Sequence, residues 1–385
     1  MCKALITWGV ALFFLSACNS DGNKSVELDK DNSFVSIKLS TDLETKHLSE
    51  LVETVEVIRL EETSQSLVSS VRDLELSEKN LVFPDSRYND VFVFDHLGNF
   101  VTKWNHQGQG PREYHNIQDI WLEGDTVAVY ARGKAVLRYT IDGKFLNSEA
   151  IEYQADHIRP YDGGYFLDMN FNAIDDTLTF KAVVLDSNLS RVDELLAVKS
   201  FSKVAFYSDI SAVMTSGNTI LYMAMLTDTV YQYHKGELLP RFHFDFGEEW
   251  FWEDESRNTE NYYERIMNET QPKVHSLSAK IGKQYLYLFA NQAMAGFQKY
   301  LIDHRNNRAV MLKKYTLKSM KYGVSILNWS EGLLIGAISS YELEEWLSSI
   351  DKSQVAFSGT ATLEEIESSE NPVLLKIQLK ESSEW

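Results

Sequence analysis

The chain has 385 residues, 44% of them hydrophobic and 12% aromatic, and a formal net charge of −19. This is the composition of a folded domain, and the length lets it bury a core without covalent staples. The negative balance repels phosphate backbones and anionic lipid surfaces, so nucleic-acid binding is not expected and a solvated body is.

In chain order, Lys3 supplies a positive start and Ala4–Leu15 an apolar run (ALITWGVALFFL). The run has the length of a signal-peptide core of roughly 7–15 residues and is short of a membrane span of about 20. Small residues then lead to Cys18. The segment Leu15-Ser16-Ala17-Cys18 resembles the lipobox of bacterial lipoproteins. That resemblance implies cleavage after residue 17 and lipid on Cys18. It also implies a cell-envelope protein anchored in the outer membrane, facing the periplasm or the surface. An uncleaved N-terminal anchor is the alternative. The only cysteines are Cys2 and Cys18, so a mature chain has no thiol for a disulfide, a zinc site or a nucleophile. Residues 18–33 are polar and small, as in a flexible tether. The folded domain is expected over 34–385.

From there the chain repeats. Runs rich in β-branched and aromatic residues begin at Val91, Val136, Ala182 and Val230, each closing on a polar turn. Each has a partner run upstream, at Asn80, Asp125, Gly164 and Thr219. Tyr285–Phe289 with Phe297–Leu301, and Leu333–Ala337 with Val373–Ile377, complete six pairs. A period of about 45 residues with several strands per unit is that of propeller blades. One four-stranded sheet cannot bury both faces alone, and radial stacking does it with only short edges. The expected fold is therefore all-β, a six-bladed β-propeller, with Val52–Leu60 (VETVEVIRL) pairing into the last blade to close the ring. A pair of β-sandwiches is the alternative, and the recurrence argues against it. Two helix-like insertions break the period, at about 247–271 and 340–370. The aromatic residues of the first could line a ligand surface or only pack onto blade edges.

After the first blade comes Gly108-Gln-Gly-Pro-Arg-Glu-Tyr114, preceded by Asn99-Phe-Val-Thr-Lys-Trp104. With Asn371–Lys380 downstream, this resembles the six-bladed β-propeller lipoproteins common in Bacteroidota, whose blade-linking run is related in style to NHL repeats. Arg112 stands where that family usually has glycine. The resemblance implies the fold and no established activity. Gly108 and Gly110 are expected to adopt positive φ in a tight crossover, Pro111 to stiffen it, and Tyr114 to pack between blades. His106, Arg112 and Glu113 are left as candidate ligand-binding residues. His157, Arg159 and Tyr161, before the third blade's paired glycines, are candidates for the central axis.

No phosphate cradle is present: position 113 is Glu and no Lys-Ser/Thr follows Gly110. Asp168–Asn172 begins like a calcium loop and then lacks its Gly and Glu. The nine histidines are scattered without zinc or hydrolase spacing. Neither a cofactor nor a metal is expected. The sequence therefore points to a non-catalytic module for a polymer, peptide or protein partner. The alternative is a propeller enzyme of lactonase, hydrolase or polysaccharide-lyase type with its site in the central funnel. A scaffold using the aromatic insertion is a third class. Carboxylates converging in the funnel, with Asp73, Asp119 and Asp168 as candidates, would favour the enzyme; an aromatic funnel would favour the binder.

Overall fold

A computed structural model describes residues 33–170, 172, 180–198, 210–216, 218–252, 261–293, 296–313 and 323–385. Cys18, the signal segment and most of the tether lie outside the described residues.

Six antiparallel sheets stand around one axis. Blade 1 comprises Glu75–Leu76, Asn80–Pro84, Asp90–Asp95 and Phe100–Asn105, from the axis outward. Blade 2 comprises Asp119–Glu123, Thr126–Ala131, Ala135–Thr140 and Phe145–Ala150. Blade 3 comprises His157–Tyr161, Gly164–Asp168, Phe180–Leu185 and Arg191–Ala197. Blades 4 and 5 begin at Val213–Ser216 and Val274–Ile281 and end at Glu237–Asp245 and Arg308–Leu312. Blade 6 comprises Ser325–Ser330, Leu333–Ile338, Val373–Leu379 and, as its fourth strand, Val52–Arg59.

The runs that make the repeat visible are the second and third strands of each blade. They are apolar on both faces because both faces are covered. Val82, Val91 and Val93 of blade 1 meet Ile120, Leu122, Val127 and Val129 of blade 2 in one buried cluster. An equivalent cluster fills each of the other five junctions, including that between blades 6 and 1, where Ile58, Ile335 and Leu374 meet Leu81, Phe83 and Phe94. Six junctions for six blades make a closed ring. At about 1.5–3 kcal/mol per buried Val, Leu, Ile or Phe, these junctions are the main source of stability.

The N-terminal segment fastens three blades in succession. Val35–Lys38 adds a parallel strand to the outer edge of blade 4, and Thr45–Lys46 does the same on blade 5. Val52–Arg59 then pairs antiparallel with Val373–Leu379 and closes blade 6. The insertion after Ile338 holds α2 (Ser340–Leu347), a short strand Val355–Phe357 parallel to Val52–Arg59, and α3 (Leu363–Glu367). That strand was not evident in the sequence. The insertion after blade 4 holds α1 (Tyr262–Met267), whose Tyr262 packs with Phe251, Trp252 and Leu226.

All six innermost strands run in the same direction. Their first residues define one face of the ring and their last residues the other. Both insertions enter and leave on the first face, because each abuts either the start of an innermost strand or the end of a second strand.

Candidate functional site

The widest concavity lies on the opposite face, around the axis. It encloses about 650 Å³ and is walled by the last residues of all six innermost strands, among them Glu75, Leu122, Arg159, Thr215, Lys280 and Asn328. The innermost strands are partly polar because one edge faces this open space and not a neighbouring sheet.

Charged groups converge on its floor. Asp119 opens the innermost strand of blade 2 and is almost fully buried. Its carboxylate accepts the backbone N–H groups of Ile120 and Ile158, both at 2.9 Å, and is in contact with the Arg159 guanidinium. Arg159 also donates to the Ile158 carbonyl at 2.9 Å, while its second terminal nitrogen stands 3.8 Å from Glu75. Burial opposes the charge on Arg159, but Asp119 and Glu75 more than compensate and hold its pKa above the ordinary value. Glu75 is pushed up to about 7, chiefly by burial and further by Asp119 and Asp73, against the pull of Arg159. Burial likewise raises Asp73. Lys280, from blade 5, donates to the Leu327 carbonyl at 2.5 Å, and burial lowers its pKa.

Toward the other face lies a separate cavity of about 20 Å³ bordered mainly by blades 3, 4 and 5, enough for a single water. His157 and Asp168 close it, with His157 Nδ1 at 3.2 Å from Asp168 Oδ2. The Tyr222 hydroxyl lies 2.9 Å from the other Asp168 oxygen. Burial disfavours the imidazolium, yet the Asp168 carboxylate outweighs it and His157 titrates above its ordinary value.

Of the axial candidates, Arg159 lines the funnel, His157 lines the small cavity beyond it, and Tyr161 lines neither. The Tyr161 ring packs edge-on against Tyr233 at 5.2 Å, and its hydroxyl accepts the Lys235 N–H at 2.8 Å. It borders a second, polar cavity of about 550 Å³ with Arg138, Glu149 and Tyr165. Pro160 and Asn218 form a wall common to this cavity and the funnel. Glu75 and Lys280 carried no motif. The alternation in Val274–Ile281 (VHSLSAKI), polar at every second place, was the available signal for Lys280; the two-residue strand holding Glu75 offered none.

The blade-linking candidates sit elsewhere, on the face away from the funnel, at the joint between blades 1 and 2. The His106 ring stacks on Tyr139 at 4.8 Å, and its Nε2 is 2.6 Å from the Gly143 carbonyl. Glu113 accepts the Gly110 N–H at 2.7 Å, and its own carbonyl takes a bond from Lys134 at 2.5 Å. Arg112 is exposed and lies over the Phe145 ring at 5.4 Å. Pro111 is exposed at the tip of the turn, while Tyr114 is fully buried between the blades and donates to the Asn89 carbonyl at 2.7 Å. The expected positive φ at Gly108 and Gly110 is absent. What the turn needs there is missing bulk: a Cβ on Gly108 would stand 2.0 Å from the Glu113 carboxylate and one on Gly110 3.0 Å from it.

Among the described residues, no group of three or more His, Cys, Asp or Glu side chains could hold a metal ion. No helix among them is long and apolar enough to cross a membrane.

These features define a closed six-bladed β-propeller with one polar, ion-paired funnel. The chain belongs to the family described as domain of unknown function DUF4934, whose model matches residues 34–378. No curated protein matches it. Its fold is similar to the crystal structure of a protein of Bacteroides fragilis described as exported, with a TM-score of 0.66 and 17% identity over 91% of this chain and 100% of that one. More distant likenesses are the N-terminal domain of Nup159, at a TM-score of 0.41 and 12% identity over 80% of this chain and 81% of that one, and BamB from Moraxella catarrhalis, at 0.37 and 12% over 75% of each.

Proposed function

We propose that this is an exported, lipid-anchored propeller of the cell envelope that binds a polymer, peptide or protein partner in its funnel and does not transform it. The lipobox-like run ending at Cys18 supports the anchor and the outer-membrane address, as does the description of the Bacteroides fragilis neighbour as exported. The observation that carries the binding reading is the state of the funnel floor. Asp119 is engaged by two backbone N–H groups and a guanidinium, and one terminal nitrogen of Arg159 by Asp119 and a carbonyl, so Asp119 and that half of the guanidinium hold blades 2 and 3 together. Meanwhile about 650 Å³ stays open above them. Among the described residues, neither of the two insertions lines this funnel.

One observation favours the enzymatic alternative. Three carboxylates (Asp73, Glu75, Asp119) converge near one guanidinium, and Glu75, with a pKa of about 7, suits proton transfer near neutral pH.

Glycan-array and pull-down binding with the full-length protein in detergent tests the reading. Retention of an unchanged partner supports it; turnover of a sugar polymer or lactone overturns it. The anchor is tested by Cys18→Ser, which is expected to move the protein from the membrane to the soluble fraction.

A further inference from the structure

We infer that the funnel floor recognises a neutral, polyhydroxylated ligand, a carbohydrate chain presenting adjacent hydroxyls, through Glu75, Arg159 and Lys280. The inference deepens the binding reading and rests on it.

It begins with what the floor leaves unused. Glu75 makes no side-chain hydrogen bond among the described residues, and its 3.8 Å separation from Arg159 is beyond hydrogen-bonding reach. The Arg159 nitrogen facing it therefore keeps its donors. Lys280 spends one of its three donors on the Leu327 carbonyl. The Asn328 side chain, on the funnel wall, gives its oxygen to the Trp329 N–H and keeps its amide donors. The Glu75 acceptor thus stands beside the Arg159 donors at a spacing that a group able both to give and to receive a proton can bridge, with Lys280 and Asn328 lining the same funnel. Each hydroxyl of a vicinal diol is such a group.

Charge weighs against the alternatives. An anionic ligand is repelled by Asp73, Glu75 and Asp119, and a cationic one by Arg159 and Lys280. A ligand of either sign thus meets like charge beside opposite charge, at a depth where burial already shifts Glu75 and Lys280. A neutral polyol adds none. A peptide finds little to hold, because Trp121 and Trp329 on the wall are each only 4% exposed and the innermost edges lead into the channel. The second cavity, sharing Pro160 and Asn218, continues the polar surface past the rim and gives a polymer room to run.

A hydroxyl donating to Glu75 favours its ionised form. Binding therefore releases a proton near neutral pH, and affinity rises between pH 6 and 8.

The test is calorimetry on the full-length protein in detergent, in two buffers of different ionisation enthalpy. The probes are neutral gluco-, manno- and xylo-oligosaccharides, oligogalacturonate, chitosan oligomers and a neutral hexapeptide. The expected result is binding of a neutral oligosaccharide with proton release, weakened about tenfold or more in Glu75→Gln with its pH dependence removed. The proton release is read on the unaltered protein, so the result does not depend on the variant folding. Binding confined to the charged oligomers or the peptide, or no binding at all, overturns the inference. So does neutral-glycan binding without proton release. A charged or peptide ligand that depends on Glu75 leaves the binding reading standing. Cleavage of a bound neutral glycan overturns that reading and keeps the ligand class.

Discussion

Single residues at the axis hold several elements at once. Asp119 joins the innermost strands of blades 2 and 3 through the Ile158 N–H and Arg159. Asp119→Asn strands a buried guanidinium, and such losses cost about 3–5 kcal/mol. Denaturant unfolding is expected to show a loss in that range, and a loss below about 1 kcal/mol would contradict the assignment. The titrating groups set a pH trend. Glu75 and His157 both have pKa values raised in the folded state, so each binds its proton more tightly there than in the unfolded chain. For Glu75 this extends from the ordinary carboxylate range up to about 7. The stability that Glu75 contributes is therefore expected to fall as pH rises from about 4.5 through 7, and His157 adds a loss from its ordinary value upward, while burial holds His275 down to about 4 and opposes both. Melting temperatures across pH 5–8 measure this, and Glu75→Gln is expected to flatten the lower part of the slope. At the joint, Gly108→Ala displaces Glu113 from Gly110, at a cost of about 1 kcal/mol. In a double-mutant cycle with Glu113→Ala the cost is expected to shrink.

Among the elements, the clasp Val52–Arg59 differs from the two short strands that precede it. Val55, Val57 and Ile58 are fully buried, whereas Val35–Lys38 and Thr45–Lys46 only extend finished blades. Removal through residue 47 is expected to lower the melting temperature while leaving a folded ring. Val57→Asp, which buries an unpaired carboxylate, is expected to abolish the cooperative melt followed by circular dichroism. The same contrast explains what the sequence revealed. Strands such as Asp90–Asp95 and Thr126–Ala131 were legible because both faces are covered and their residues are apolar throughout. Glu75–Leu76 was not, being two residues long and facing water. Phe145–Ala150 (FLNSEA) is an outer edge and reads as polar loop. Arg159 and His157 were located only by counting back from a recognised turn. Glu75, which faces Arg159, comes from blade 1, and Lys280 on the same funnel wall from blade 5, a convergence that only the closed ring creates. The blade-linking motif was read correctly as a joint, but its glycines serve for space and not for φ.

For the whole molecule, one junction depends on residues at opposite ends of the chain. Leu374 and Leu375 pair with Ile58 and Val57, and without that pairing blade 6 has no outer half. The ring is therefore expected to melt in a single transition, with intrinsic fluorescence and circular dichroism coinciding; separate midpoints would show that the blades unfold independently.

The route of the N-terminal segment also decides how the body answers a pull. Tension entering at Ser33, where a tether would attach, does not reach the clasp directly. It first shears Val35–Lys38 along blade 4, then Thr45–Lys46 along blade 5, and only afterwards strains the seam of blade 6. The two outer strands thus lie in series ahead of the clasp, so that a pull applied at Ser33 is spent at the rim before it can open the ring.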